Sequence, residues 1–287
     1  MVVLFQQPAA VQRPEAALTA RFLRPVLPAL EALLLEVRAE TDLALGEGAA
    51  RYGKPYPIGY CAEITHDVLA RLGARLRQPR HAGERALKAF IHAGGDGRCV
   101  WGVLRGQYFQ TALQIGGLYI DVANDTVDVR KPKVEILPIQ ESGFEAIRDA
   151  AHFAGIAEAY WGLRVYANHA VPSLAPLLPM IGVPVSGPAH LQSNTQYMVE
   201  LFRQDAFARS QAWLTEGPAP STDVIEAVRS LCPAPLLAAA GPPGREAAIQ
   251  ACQSARATGR ASDQAWRDAL VADFPAVCGS IPVRERG

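Results

Sequence analysis

The sequence predicts an α+β protein: a central antiparallel sheet packed against a helix that starts at Cys61, with a largely helical C-terminal region. Three observations carry this. Apolar residues step by three or four through residues 14–45, strands and tight glycine turns fill residues 87–129, and helical periodicity returns after Pro138. The composition supports a buried core, since 49% of the 287 residues are hydrophobic and 28 Lys and Arg balance 28 Asp and Glu. A neutral balance lacks the basic excess that contacts along a nucleic acid demand, so no nucleic-acid partner is expected.

Each element has its own signal. In residues 14–45, Leu23, Leu27, Leu30, Leu34 and Val37 draw one apolar stripe, and Pro25 and Pro28 kink or divide its start. Gly46, Gly48, Gly53, Pro55 and Pro57 make a loop. The helix after it carries Cys61, Ile64, Thr65, Val68 and Leu72 on one face. Strands are expected at residues 87–93, 99–104, 108–115 and 118–122, with turns at Gly94–Gly97, Arg105–Gly106 and Gly116–Gly117. Ser142 and Glu145 read as a capping box opening a helix to about residue 158. Residues 160–190 are apolar and proline-punctuated without a clear element, and a helix is expected over 192–214. Ser221 and Ser262 are expected to cap helices near 223–232 and 263–273. The chain is expected to divide into a core, residues 1–140, and a mainly helical accessory region packed on it, residues 141–287.

The five cysteines form no CxxC pair, and their odd number leaves a thiol over in any disulfide scheme, which favours a reducing compartment. The first residues show neither a basic nor an apolar leader pattern, and no run of 18 apolar residues occurs. A cytoplasmic protein without a membrane partner is therefore expected. Cys61 stands at the first turn of its helix, where unpaired N–H groups and the helix dipole favour an anion, making it a candidate thiolate. A buried structural cysteine is the alternative.

The Gly116–Gly117 turn fixes a hairpin register that sets Ile115 opposite Leu118 and Ala112 opposite Asp121. One face then carries Phe109, Thr111, Leu113, Ile115, Leu118, Ile120 and Val122, a core face. Gln110, Ala112, Gln114, Tyr119 and Asp121 lie on the other, and an aspartate inside a strand is disfavoured, which singles out Asp121.

The stretch from Gly59 through Cys61 to Thr65, followed by the stretch from Gln110 to Asp121, resembles the transglutaminase-like branch of the papain-like cysteine enzymes. The likeness covers roughly residues 55–130. That family sets a nucleophilic cysteine at a helix start, a histidine on one strand and an Asp or Asn on the next. The resemblance implies residues 1–140 as a transglutaminase-like core, Cys61 as nucleophile and Asp121 as the group that orients a base. Gln110 occupies the place of the family's histidine, and an amide cannot accept a proton at neutral pH. Another histidine enters the site, or the thiol works without one, or the site does no chemistry.

Of the six histidines, His66 faces away from Cys61 around the helix, His81 lies in a basic loop, His92 ends a strand and His152 sits in a helix. His169 and His190 stand in irregular segments, and His169 is preferred as the base because Tyr166 and Asn168 accompany it. Two functional readings follow. One is cysteine-dependent acyl transfer, either amide formation or amide or thioester hydrolysis, through a Cys61 acyl-enzyme acting on a small-molecule or carrier-bound acyl substrate or a peptide. The other is an inactive transglutaminase-like fold serving as a binding or interaction module. Neither requires a cofactor or a metal. Asp121, Asn124, Asp125 and Asp128 lack the spacing of a calcium loop, and Gly94–Gly97 joins strand to strand, which is no phosphate cradle.

Overall fold

The computed structural model describes residues 6–46, 55–192 and 196–272. The architecture is α+β, and the chain divides into two compact units between Ala146 and Ile147. In the first unit, the opening helical segment runs as α1 (Arg13–Leu18), a π turn, a 3-10 turn over Arg24–Val26 and α2 (Leu27–Gly46). The break falls at Pro25 and Pro28, which lack the N–H donors of a continuous ladder. Helix α3 (Cys61–Arg75) buries Ile64, Thr65, Val68 and Leu72.

Residues 87–93 are not a strand. They end α4 (Ala82–His92), in which Gly83, Glu84, Leu87 and Phe90 are buried. That three-residue step is helical, and over so short an apolar run it competes with alternation. His92 accordingly ends a helix.

Five antiparallel strands follow, β1 (Gly97–Leu104), β2 (Tyr108–Ile115), β3 (Leu118–Asp121), β4 (Glu135–Pro138) and β5 (Phe144–Glu145), in the order β4-β3-β2-β1-β5. The β2–β3 hairpin pairs Ile115 with Leu118 and Leu113 with Ile120. Gly116 turns it at φ +57°, and a Cβ there would come within 2.3 Å of Thr19 Oγ1 and 2.9 Å of the Phe90 ring. Only glycine fits both the backbone angle and the space.

The first core lies between α2, α3, α4 and one face of this sheet. Leu34, Val37, Ile64, Val68, Leu72, Leu87 and Phe90 meet Cys99, Leu113, Ile115, Leu118, Ile120 and Val122 there. The opposite face is buried too: Val100, Ala112 and Tyr119 are fully enclosed. Part of its cover is the N-terminal segment, where Gln114 exchanges two 2.8 Å hydrogen bonds with the Ala9 backbone.

Ser142 and Glu145 do not open a helix. Ser142 Oγ accepts from Phe144 N at 3.0 Å, Gly143 takes φ +71°, and the chain turns into β5, which pairs with β1. The division of the chain follows this strand instead of falling at residue 140. Helix α5 (Ala150–Trp161) starts later, capped by Asp149, whose carboxylate accepts from His152 N at 2.7 Å.

The second unit fills the unassigned stretch 160–190 with β6 (Arg164–Ala167), β7 (Met180–Val183) and β8 (His190–Gln192), an antiparallel sheet in sequence order. The expected helix over 192–214 is two helices, α6 (Gln196–Arg203) and α7 (Ala208–Glu216), parted where Ala206 and buried Phe207 take φ +53° and +67°. Helices α8 (Thr222–Ser230), α9 (Ala234–Ala240), α10 (Arg245–Ala257) and α11 (Gln264–Ala272) follow, so this unit is largely helical. Ser221 caps α8 by accepting from Val224 N. At α11 the cap is Asp263, which accepts from Trp266 N at 2.9 Å, while Ser262 belongs to the preceding 3-10 turn. No helix of the described residues is long and apolar enough to cross a membrane.

Candidate functional site

Cys61 sits at the first turn of α3, half-buried, after Gly59 at φ +82°. The helix lies on β2 through two threonines. Thr65 Oγ1 donates to the Thr111 carbonyl at 3.3 Å, and Cys61 Sγ donates to Thr111 Oγ1 at 3.8 Å. Thr111 lies on the face of β2 that carries Leu113 and Ile115, so the thiol belongs to the α3 side of the sheet, with Cys99. Burial pushes the thiol up to about 11; the Thr111 hydrogen bonds oppose this, and the negative charges of Asp121 and Glu63 add to it. At neutral pH the sulfur is a thiol.

Gln110 and Asp121 are brought together, on the other face. Gln110 Nε2 donates to Asp121 Oδ2 at 2.7 Å and to the Ala123 carbonyl at 3.2 Å. Tyr119 Oη donates to the same carboxylate oxygen at 3.0 Å, and Ala123 N donates to Oδ1 at 2.8 Å. Burial raises the Asp121 carboxyl to about 6, against the pull of these three donors, and the charge of Glu135 raises it further. Asp121 is therefore enclosed and engaged by groups that are not bases. Gln110 Oε1 is buried and meets no partner among the described residues.

His169 lies in the second unit, beyond β6. Its Nε2 pairs with the Leu214 carbonyl at 2.9 Å, and burial lowers its pKa. His190 is on β8, with Nε2 3.1 Å from Gln192 Oε1. His66 is on α3 and is held by burial below its ordinary value. Among the described residues no imidazole hydrogen-bonds to Cys61 Sγ. Nor does any group of three or more His, Cys, Asp and Glu among them have the arrangement of a metal site.

A buried ion cluster near the thiol helix escaped the sequence reading. Arg38 of α2, fully enclosed, forks onto Asp125 at 2.8 and 3.0 Å, donates to the Val122 carbonyl at 2.7 Å and reaches Asp42 Oδ1 at 2.7 Å. Lys133 and Tyr56 also donate to Asp42. The signal was an arginine inside an apolar stripe, four residues after Leu34 and one after Val37.

In comparisons with protein-family models, with curated proteins and with solved structures, the chain finds no match in any of the three.

Proposed function

We propose that this chain is a non-catalytic binding or interaction module, built on a transglutaminase-like core whose cysteine is structural. One observation carries the reading: the sheet stands between Cys61, on the α3 face with Thr111, and the Gln110–Asp121 pair on the opposite face. A thiol that attacks a carbonyl needs a base within hydrogen-bond reach and an orienting group behind that base. Here the partner of the sulfur is a threonine hydroxyl, and the partners of the carboxylate are an amide, a phenol hydroxyl and a backbone N–H. The four described cysteines are free thiols, which supports a reducing, cytoplasmic setting.

A second reading, acyl transfer through a Cys61 acyl-enzyme, draws on the position of the thiol at the first turn of α3. The pH profile of alkylation by iodoacetamide separates the two. Labelling of Cys61, located by mass spectrometry between pH 5 and 8, is expected to be no faster than that of a thiol with an ordinary or raised pKa, and to climb throughout with pH. Prompt, selective alkylation near pH 6 would overturn the proposal and favour the enzyme.

A further inference from the structure

The basic loop between α3 and α4 gathers cations. From residue 75 to residue 88 the chain carries Arg75, Arg77, Arg80, Arg85 and Lys88 against the single acid Glu84. A concavity of about 510 Å³ opens there, lined by Glu36, Arg75, Arg77, Arg80, His81 and Glu84. Its size suits a small ligand.

The acids in it are already engaged. Glu36 Oε1 accepts from Arg75 at 2.8 Å, a contact that holds the Glu36 carboxyl below its ordinary value. Glu84 Oε1 accepts from Arg75 at 3.4 Å, and Glu84 Oε2 accepts from the backbone N–H groups of Arg80 and His81. Two of the cations are tied to backbone: Arg85 donates to the Arg80 carbonyl at 2.6 Å and Lys88 to the Arg77 carbonyl at 3.1 Å. Arg77 and Arg80 remain: both line the concavity, both are exposed, and neither side chain is held in an ion pair among the described residues. A guanidinium fork matches the oxygens of a phosphate in geometry and charge.

We propose that this concavity binds a small phosphate-bearing anion, with Arg77 and Arg80 as the recognising side chains. Arg75, Arg77 and Arg80 line the cavity, and Arg75 is taken up by Glu36, Glu40 and Glu84, so Arg77 and Arg80 are the two cations left to a ligand, which fits a compact anion better than a nucleic-acid backbone. The site lies at the far end of α3 from Cys61, so it stands whichever way the thiol behaves. Inorganic pyrophosphate titrated calorimetrically into the full chain at low ionic strength tests it. Saturable one-to-one binding is expected, weakened about tenfold or more in Arg77→Gln/Arg80→Gln and unchanged in Arg130→Gln, an exposed arginine elsewhere. The double variant, altered only at exposed side chains, is expected to fold, which circular dichroism checks. No saturable binding to the wild type, or equal binding to the folded double variant, would overturn the proposal.

Discussion

Asp121 is a carboxylate inside a strand, held well above its ordinary range. Its carboxyl is fully enclosed, and burial lifts it to about 6 from 3.8. Between those values the folded state holds a proton that the unfolded state has released, so stability rises as pH falls through this window. The contribution is on the order of 1–3 kcal/mol, complete near pH 4 and lost above pH 6. Asp121→Asn removes it. Urea unfolding at pH 7 and pH 4 should therefore show the wild type gaining on the variant by that amount as the solution is acidified; a pH-independent difference would mean that the carboxyl titrates normally. The prominence of Asp121 was legible in the sequence, because a charged residue inside a strand has to be explained. Its partner was legible as well, since the hairpin register places Gln110 diagonally across from it. That its partners are an amide, a phenol hydroxyl and a backbone N–H, none of them a base, was not, because spacing does not say which groups a buried carboxylate engages.

At the scale of elements, α2 is fastened to the end of β3 by a charge in an apolar setting. The Arg38 side chain spans from the helix to Val122 and Asp125, directly after the strand. Removing one partner strands the others without water. Arg38→Met is expected to cost about 3–5 kcal/mol in urea unfolding, while Arg130→Met, which breaks an exposed pair with Asp128, leaves the midpoint unchanged. Equal effects from the two variants would show that the buried cluster holds nothing together. Elements with two agreeing signals were readable: the glycine turn and alternating pattern of β2–β3, or the apolar face and loop boundary of α3. Those resting on one signal were not. The end of α4 looked like a strand because its apolar residues are few, and β5 looked like a helix start because Ser142 and Glu145 have the capping-box spacing while Gly143 turns the chain elsewhere.

For the molecule as a whole, the decisive feature is which face of the sheet the thiol helix covers. Cys61 lies on the apolar side of α3, and an apolar helix face packs on the apolar face of a sheet, here the face of Thr111, Leu113 and Ile115. Alternation then sends Gln110 and Asp121 to the other side. The elements of this separation were present in the sequence, in the alternation along β2 and β3 and in the apolar face of α3. The α3–α4 concavity was hidden for a different reason: the basic loop was legible, but the concavity forms only where that loop meets Glu36 of α2 in the fold.

Installing the missing histidine probes the separation directly. If Gln110 faced Cys61, Gln110→His would create a thiol–imidazole pair and bring alkylation of Cys61 down toward pH 6. The account predicts instead that the iodoacetamide profile of Cys61 in folded Gln110→His matches that of the wild type, because the new imidazole sits beside Asp121 on the opposite face. Alkylation of Cys61 that becomes fast near pH 6 in the variant would contradict it.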